Sequence, residues 1–290
     1  MIVDKLYESV RKKSVVCVGL DTAIEYVPKS FQEKYFAISD TIFEFNRRII
    51  DATYDIAACF KLQIAYYEAL GIEGLIAYKR TIQYIREKKC IVVADIKRGD
   101  ISKTAEMYAK AHFEGDFESD FITLNPYMGM DSITPYLSYV REKEKGLFIL
   151  IRTSNEGAHD IQYIKDSNDK PVYKLVGDKI ENLANDYIGK CGYSSVGGVA
   201  GCTHVDEAKD IRKDLSNMFF LIPGYGAQGG KAKDVARYLK NGNGGIVNSS
   251  RGILLAYKKH DNDDNFDVYA REEVLFMRED INNAVKAYEG

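Results

Sequence analysis

Long apolar runs are missing from this chain of 290 residues. A membrane-spanning helix needs about 18 or more consecutive apolar residues, and no segment approaches that length. The first 13 residues carry their apolar side chains at helical spacing and lack the compact apolar block of a signal peptide. We therefore expect a cytoplasmic protein with an uncleaved N-terminal helix and no membrane as a partner.

Clusters of metal-ligating residues are missing too. The four histidines are dispersed, and the five cysteines include no CxxC spacing. Without histidine, cysteine and carboxylate residues at the spacing of a zinc site, the sequence predicts no bound metal. Three cysteines lie in apolar runs, so we interpret the cysteines as small buried side chains in a reducing compartment. They are Cys17, Cys59, Cys90, Cys191 and Cys202.

Neither sign of charge is in large excess. The chain has 40 Lys and Arg residues against 43 Asp and Glu residues, a formal net charge of −3. This balance provides no general attraction to nucleic acid, which we do not expect as a partner. An anionic ligand would therefore have to be held by local cations.

Eight short runs rich in β-branched residues are present, and segments with helical periodicity follow them. This alternation is typical of βα units around a parallel sheet. The predicted strands are Val15–Leu20, Ile56–Leu62, Cys90–Ile96, Phe121–Leu124, Leu147–Arg152, Ser195–Val199, Met218–Ile222 and Gly245–Asn248. The clearest predicted helical faces are Ile38, Ile42, Phe45 and Ile49, and Val176, Ile180, Leu183 and Tyr187.

Eight βα units favour a TIM (β/α)8 barrel, and an open doubly wound sheet is the main alternative. No linker or low-complexity tract marks a second domain. We therefore expect one domain over residues 1–290, with the N-terminal helix and a C-terminal helical extension. Two polar excursions, Asn155–Lys170 and Lys258–Asp267, interrupt the pattern and are predicted to be lids or surface loops.

The third predicted strand ends in the charged segment VVADIKRGDISKTAEMYA, Val92–Ala109. The two-residue separation of Asp95 and Lys97 points both side chains to one face, which opens at the mouth of a barrel. Asp100 follows in a turn, where it does not readily fold back onto its own strand and could reach a neighbouring subunit. The alternative is a solvated surface cluster, but the charges follow the apolar run Ile91–Ala94 without a break.

Charged residues also end the first two predicted strands. Asp21 follows the first strand and Lys61 lies near the end of the second, where it could instead be a rim residue that extends its charge into water. Together with Asp95 and Lys97 they would form an array of alternating sign at the barrel mouth. Flanking carboxylates favour the protonated form of a lysine, so Lys97 would be a proton donor and a poor nucleophile.

Glycine-rich segments follow the last two predicted strands. They are PGYGAQGG, Pro223–Gly230, and NSSRG, Asn248–Gly252. Loops at these positions form the usual phosphate site of a TIM barrel, with Arg251 as a fixed cation and Gln228 as a neutral donor. Glycines also serve ordinary tight turns, but two such loops after these two strands favour phosphate binding. PGYGAQGG does not fit the dinucleotide pattern GxGxxG.

Six motifs at strand ends resemble those of the orotidine 5'-phosphate decarboxylase family, in its long-chain bacterial and protozoan branch. They are GLD at Gly19–Asp21, FKLQ at Phe60–Gln63, ADIKRGDI at Ala94–Ile101, RTSN at Arg152–Asn155, PGYGAQGG, and SSRG at Ser249–Gly252. The resemblance covers nearly the whole chain. Two positions depart from the family pattern, namely Glu156, where a proline is frequent, and Gln63, where other polar residues also occur.

The resemblance implies a homodimeric, cofactor-independent enzyme that converts orotidine 5'-monophosphate to UMP and CO2, the final step of de novo pyrimidine nucleotide biosynthesis. It implies a charged tetrad of Lys61, Asp95, Lys97 and, from the neighbouring subunit, Asp100, with Lys97 as the proton donor. The implied substrate contacts are Asp21 and Lys61 to the ribose, Ser154 and Pro223 to the pyrimidine, Gln228, Arg251 and Gly252 to the phosphate, and Ile101 and Thr104 in the neighbouring site.

Three other functions compete with this one. A Mg²⁺-dependent sugar-phosphate lyase or decarboxylase on the same barrel, such as the hexulose-phosphate synthase group, needs a further carboxylate where this chain has Lys61. A catalytically silent nucleotide sensor would not need the full set of strand-end charges. A bifunctional UMP synthase would need an added phosphoribosyltransferase domain, for which a barrel of 290 residues leaves no room.

Overall fold

Eight parallel strands form a closed barrel in the computed structural model, which describes residues 1–202, 205–226, 229–260 and 263–290. The strands pair in chain order, and the first strand also pairs with the last. The predicted TIM barrel is therefore confirmed, and the open sheet is wrong. The strands are β1 (Val16–Gly19), β2 (Cys59–Gln63), β3 (Ile91–Arg98), β4 (Phe121–Leu124), β5 (Gly146–Arg152), β6 (Ser194–Ala200), β7 (Met218–Ile222) and β8 (Gly245–Ser249).

Helices follow the strands and surround the barrel. The α-helices of the described residues are α1 (Ile2–Lys12), α2 (Lys29–Gln32), α3 (Ile38–Thr53), α4 (Ile64–Glu68), α5 (Gly71–Glu87), α6 (Ser102–Phe113), α7 (Leu137–Glu142), α8 (Val172–Ala184), α9 (Val205–Asp214), α10 (Ala232–Ala236), α11 (Arg251–Leu254) and α12 (Phe266–Glu289). Short 3₁₀ helices of the described residues cover Ile24–Tyr26, Gly115–Phe117, Met130–Ser132, Thr134–Tyr136, Glu156–Asp160, Asn185–Tyr187, Ala256–Lys259 and Asp263–Asn265. None of the described helices has the length and apolar character needed to cross a bilayer.

The strand boundaries differ most from the predicted ones at β2 and β3, whereas those of β1, β5, β6 and β8 differ by one residue at one or both ends. β2 begins at Cys59 because the backbone N–H groups of Ile56 and Ala57 both donate to Thr53 and complete the turn that ends α3. β3 continues to Arg98, past the last apolar residue of its run. The apolar pattern indicates where a strand is buried, whereas its end is set by local hydrogen bonds.

Both faces of the strands are covered, as expected for a parallel sheet. β3 is buried at every position from Ile91 to Ile96. On α3, Ile42, Phe45 and Ile49 are fully buried, whereas Ile38 is exposed because it is the first residue of the helix. The first predicted helical face is therefore confirmed over three of its four positions.

The N-terminal helix α1 lies across the amino ends of the strands. Ser9 Oγ donates to Ala58 O over 2.7 Å, Asn243 Nδ2 donates to Tyr7 O over 3.2 Å, and the Cys191 N–H donates to Asp4 Oδ1 over 2.8 Å. Ala58, Asn243 and Cys191 precede β2, β8 and β6, respectively. The carboxyl ends of the strands therefore form the open mouth of the barrel.

The C-terminal helix α12 packs against α3. The rings of Phe45 and Phe266 stack with centroids 4.6 Å apart, and Arg48 contacts Asp267 at 2.6 Å. Four cysteines are buried as predicted, but the interpretation is wrong for Cys191, which is only partly buried because it lies in the turn before β6.

Candidate active site

Four charged side chains from the ends of β1, β2 and β3 meet at the barrel mouth. Lys61 Nζ lies 2.8 Å from Asp21 Oδ1 and 3.4 Å from Asp95 Oδ2, and Lys97 Nζ lies 2.7 Å from Asp95 Oδ1. The charges alternate in sign in the order Asp21, Lys61, Asp95, Lys97. Lys61 is only 3% exposed, so the alternative that it is a solvated rim residue is wrong.

The two buried members of this array remain charged because each compensates the other. Burial alone would lower the pKa of the Lys61 ammonium, but the charges of Asp21 and Asp95 outweigh burial and raise that pKa above its ordinary value. Burial would likewise raise the pKa of Asp95, but Lys61, Lys97 and a hydrogen bond from Thr123 lower it below its ordinary value. Removing one partner would leave an uncompensated buried charge, which is strongly destabilising.

Asp21 is held from the other side by the end of β8. Ser250 Oγ donates to Asp21 Oδ2 over 2.7 Å, and Asn248 Nδ2 donates to Ser250 Oγ over 3.3 Å. This approach requires glycine at position 19, since a Cβ on Gly19 would lie 1.9 Å from Ser250 Oγ. In the GLD motif, Gly19 therefore allows the ends of β1 and β8 to approach closely, and Asp21 is the carboxylate that this approach fixes.

The array lines a cavity of about 460 Å³ at the carboxyl ends of the strands. A second cavity of about 210 Å³ adjoins it, and the two share Asp21, Tyr66, Pro223 and Asn248. Arg251 lines the second cavity together with Gly224 and Tyr225 from the segment after β7. The site thus has a charged end at β3 and a cationic end at β8, and it is large enough for a nucleotide-sized ligand.

Ser154 lines the main cavity from the loop after β5. The polar excursion Asn155–Lys170 is hydrogen-bonded to this loop. The side chain of Gln162 accepts from Thr153 N over 3.0 Å and donates to Thr153 Oγ1 over 2.7 Å. On the other side the loop touches the end of β6, where a Cβ on Gly201 would lie 2.8 Å from the Cβ of Ser154. At least this part of the Asn155–Lys170 excursion supports the cavity wall.

Three residues assigned to a neighbouring site lie outside both cavities. Asp100, Ile101 and Thr104 occupy the turn before α6 and its first residues, where Ile101 and Thr104 are exposed. Asp100 accepts a hydrogen bond from the N–H of Ile101 over 2.8 Å and is not within ion-pair distance of its own Lys97. Its role in a second subunit stays a prediction.

Gln228 and Gly252 were predicted to contact the phosphate together with Arg251. Gln228 lies outside the described residues. Gly252 is the second residue of α11, next to Arg251. The described residues include no group of three or more His, Cys, Asp or Glu side chains that could hold a metal ion.

Sequence reasoning missed Thr123, the inward-facing residue of β4. Its hydroxyl donates to Asp95 Oδ1 over 2.8 Å, and its side chain lines the main cavity. The signal was a single hydroxyl in an otherwise apolar strand, Phe-Ile-Thr-Leu. Asn248 and Tyr66, which line both cavities, were also given no role.

Comparison with known proteins gives consistent matches. A sequence model of the orotidine 5'-phosphate decarboxylase / HUMPS family matches residues 14–262. The chain is 63% identical to the orotidine 5'-phosphate decarboxylase of Clostridium tetani over 99% of this chain and 100% of that protein. It is 64% identical to the orotidine 5'-phosphate decarboxylase of Clostridium perfringens strain 13 over 98% and 99% of the two chains.

Solved structures give the same result at lower identity. The Leishmania donovani OMP decarboxylase superposes with a TM-score of 0.77 at 29% identity, covering 98% of each chain. The Leishmania donovani UMP synthase superposes with a TM-score of 0.76 at 31% identity, covering 95% of this chain and 56% of that chain.

Proposed function

Since this chain belongs to the orotidine 5'-phosphate decarboxylase / HUMPS family, we propose that it converts orotidine 5'-monophosphate to UMP and CO2, the final step of de novo pyrimidine nucleotide biosynthesis. The observation that carries the proposal is the contact of 2.7 Å between Lys97 and Asp95 in the main cavity. This pair places an ammonium beside a carboxylate in a site that also has a cation, Arg251, for a phosphate.

The ammonium of Lys97 supplies both electrostatic stabilisation and a proton. When the bond between C6 and the carboxylate carbon breaks, the electron pair stays on C6 and CO2 departs. A positive charge next to C6 stabilises this carbanion as it develops. Lys97 then transfers a proton to C6, which gives UMP and a neutral amine that regains a proton from solvent.

Asp95 and Lys61 prepare the site for this step. Asp95 holds the ammonium of Lys97, and its negative charge favours departure of the nearby substrate carboxylate. Lys61 compensates Asp95 from the opposite side and, with Asp21, faces the ribose. Ser154 and Pro223, which line the main cavity, would contact the pyrimidine.

The phosphate binds at the other end of the site in this proposal. Arg251 and the backbone at Gly252 hold it, and Gln228 contributes a neutral donor. Because the phosphate is remote from C6, its binding energy can be used to order the site around the pyrimidine and to exclude water.

The metal-dependent lyases of the same family are the nearest alternative. Their divalent cation needs several carboxylates, whereas here the ammonium of Lys61 lies between Asp21 and Asp95. A divalent cation between these carboxylates would be repelled by that ammonium. The chemistry of this set of side chains therefore favours decarboxylation without a metal.

The direct test is turnover by purified protein that has been treated with EDTA. We expect the ultraviolet absorbance of orotidine 5'-monophosphate to decrease as UMP forms, at the same rate with and without added Mg²⁺. Activity that appears only when Mg²⁺ is restored would favour the lyase. Stoichiometric nucleotide binding without any turnover would favour a sensor.

We also propose a homodimer in which Asp100, Ile101 and Thr104 enter the neighbouring site. Large apolar side chains are exposed around these residues, including Met107 on α6 and Tyr127 after β4, which is 80% exposed. A surface of this kind is typical of an interface. A second subunit placed here would bring the carboxylate of its Asp100 towards Lys97 and complete the tetrad.

Mixing two inactive variants tests whether sites are shared. Lys97→Ala and Asp100→Ala subunits, refolded together in equal amounts, should recover up to about one quarter of the parental activity, because half of the dimers are mixed and each mixed dimer has one intact site. Either variant alone stays inactive. Confirmed mixed dimers without activity would show that each subunit uses its own Asp100.

Two broader predictions remain proposals. Residues 1–290 form one domain, since α1 and α12 both pack onto the barrel unit. The protein is cytoplasmic, which agrees with its mostly buried free cysteines.

A further inference from the structure

We propose that Thr123 is a positioning residue for the decarboxylation, because its hydroxyl fixes both the backbone of Lys97 and the carboxylate of Asp95. The inference rests on the function proposed above and assigns to this function a residue of β4, a strand to which no role in the chemistry has been given. Thr123 acts through the two charged residues and not on the substrate.

The Thr123 hydroxyl uses its whole hydrogen-bonding capacity on β3. Oγ1 accepts from the N–H groups of Ile96 and Lys97, both over 2.9 Å, and donates to Asp95 Oδ1 over 2.8 Å. A hydroxyl has one proton and two lone pairs, so no capacity is left. The same Asp95 oxygen accepts from Lys97 Nζ over 2.7 Å. Thr123 is 1% exposed, so solvent does not compete for these bonds.

The backbone needs this hydroxyl because β3 is irregular at the same place. Ala94 pairs with Ile122 and Arg98 pairs with Leu124, so three residues of β3 lie opposite the single residue Thr123. The N–H groups of Ile96 and Lys97 in this bulge donate to the threonine side chain instead of a carbonyl of β4. A buried N–H without an acceptor would be costly, and the hydroxyl provides one for each.

The backbone at Lys97 is also strained. Its φ is +45°, in the left-handed region that a lysine adopts only where the surrounding structure enforces it. The Lys97 side chain is 45% exposed, and its Nζ is held by Asp95. The hydrogen bond from the Lys97 N–H to Thr123 therefore positions the backbone from which the lysine side chain starts. The Asp95 oxygen, which also accepts from Thr123, positions the Nζ of Lys97.

Loss of the hydroxyl should affect the chemical step more than nucleotide binding. Two buried N–H groups would lose their acceptor, Asp95 would lose a donor, and the ammonium would no longer be fixed beside C6. A displacement of about 1 Å at a reacting group costs about 100-fold in rate. The proposed phosphate and ribose contacts come from the ends of β1, β2 and β8 and from the segment after β7, whereas the Thr123 hydroxyl bonds to β3.

The experiment compares Thr123→Val, which keeps the shape, with Thr123→Ser, which keeps the hydroxyl. We expect kcat of the valine variant to fall about 100-fold while the dissociation constant of UMP changes by less than about 3-fold. The serine variant should retain kcat within about 10-fold. Thr53→Val is the matched control, because Thr53 is a buried threonine of α3 whose hydroxyl donates one hydrogen bond, to Ile49 O over 2.7 Å.

The pH profile separates positioning from a purely structural role. Because the hydroxyl helps to lower the pKa of Asp95, its loss should move the acid limb of kcat/KM to higher pH in Thr123→Val and leave it in place in Thr123→Ser. Parental kcat and an unmoved acid limb in the valine variant would overturn the proposal. If valine prevents folding, Thr123→Ala against Thr123→Ser isolates the hydroxyl alone.

A crystal structure of the valine or alanine variant makes the test independent of the activity itself. If the parent does not decarboxylate the substrate, the proposed function fails, and the structure still tests the positioning role. We expect Lys97 to leave the left-handed region and its Nζ to move away from Asp95. An unchanged φ together with an unchanged contact of 2.7 Å would overturn the proposal.

Discussion

Replacing Lys97 with alanine should reduce kcat by about 10⁴-fold or more, because both the positive charge that faces the carbanion and the proton that quenches it are removed. UMP should still bind with a dissociation constant within about tenfold of the parental value, since the contacts to the ribose and the phosphate do not involve this residue. Stopped-flow or steady-state absorbance measurements give kcat, and titration calorimetry gives the affinity for UMP.

Lys5→Ala is the matched control for this variant. Lys5 lies on α1, at the amino ends of the strands, and forms an ion pair with Glu144 at 2.9 Å. Replacing Lys5 therefore removes a surface ammonium that is remote from the site. Asp95 keeps its contact with Lys61 at 3.4 Å in the Lys97 variant, which should therefore fold. Turnover by the Lys97 variant at the rate of the control would refute the assignment of the proton donor.

Replacing Arg251 with alanine should lower kcat/KM by about 10³-fold, mainly through KM. A bond between a guanidinium and a phosphate in a partly enclosed site contributes several kcal/mol, and the loss of about 4 kcal/mol corresponds to this factor. Because the phosphate binding energy also serves to order the site, kcat should fall as well, though by a smaller factor. Arg251→Lys keeps the charge but not the planar pair of donors, so its kcat/KM should lie between those of the parent and of Arg251→Ala.

The nucleoside orotidine provides the control substrate for this prediction. It lacks the phosphate, so the parental enzyme and Arg251→Ala should process it at equal and very low rates. The surface variant Arg11→Ala, which loses only an exposed pair with Glu8, should match the parent on both substrates. An equal loss of activity on orotidine and on its phosphate would show that Arg251 acts on the fold rather than on the phosphate.

The charged residues of the site could be predicted from the sequence because they follow directly on buried runs. In a barrel whose strands are parallel, all carboxyl ends meet at one mouth, so a charge that ends such a run must emerge there. Asp21, Lys61, Asp95 and Lys97 were found by this rule, and the structure brings all four together. The glycine-rich loops were found in the same way, from their place after the last two strands.

The irregular parts of the site could not be predicted, because they depend on contacts between strands. The bulge of β3 and the left-handed backbone at Lys97 lie opposite a hydroxyl on β4 that accepts from two N–H groups of the bulge, and the sequence of β3 alone does not reveal this contact. The two hydrogen bonds between Gln162 and Thr153 likewise could not be predicted, because no periodicity or motif of the sequence connects these two residues.

By itself the sequence determined the number and order of the βα units and which charges emerge at the barrel mouth, because apolar periodicity and chain order are local properties. Only the tertiary structure decided that Lys61 is buried between two carboxylates, that one threonine links Asp95 to Lys97, and that the polar excursion supports the cavity wall. These features depend on distances of about 3 Å between residues far apart in the chain, and such distances are fixed by the packing and register of the closed barrel.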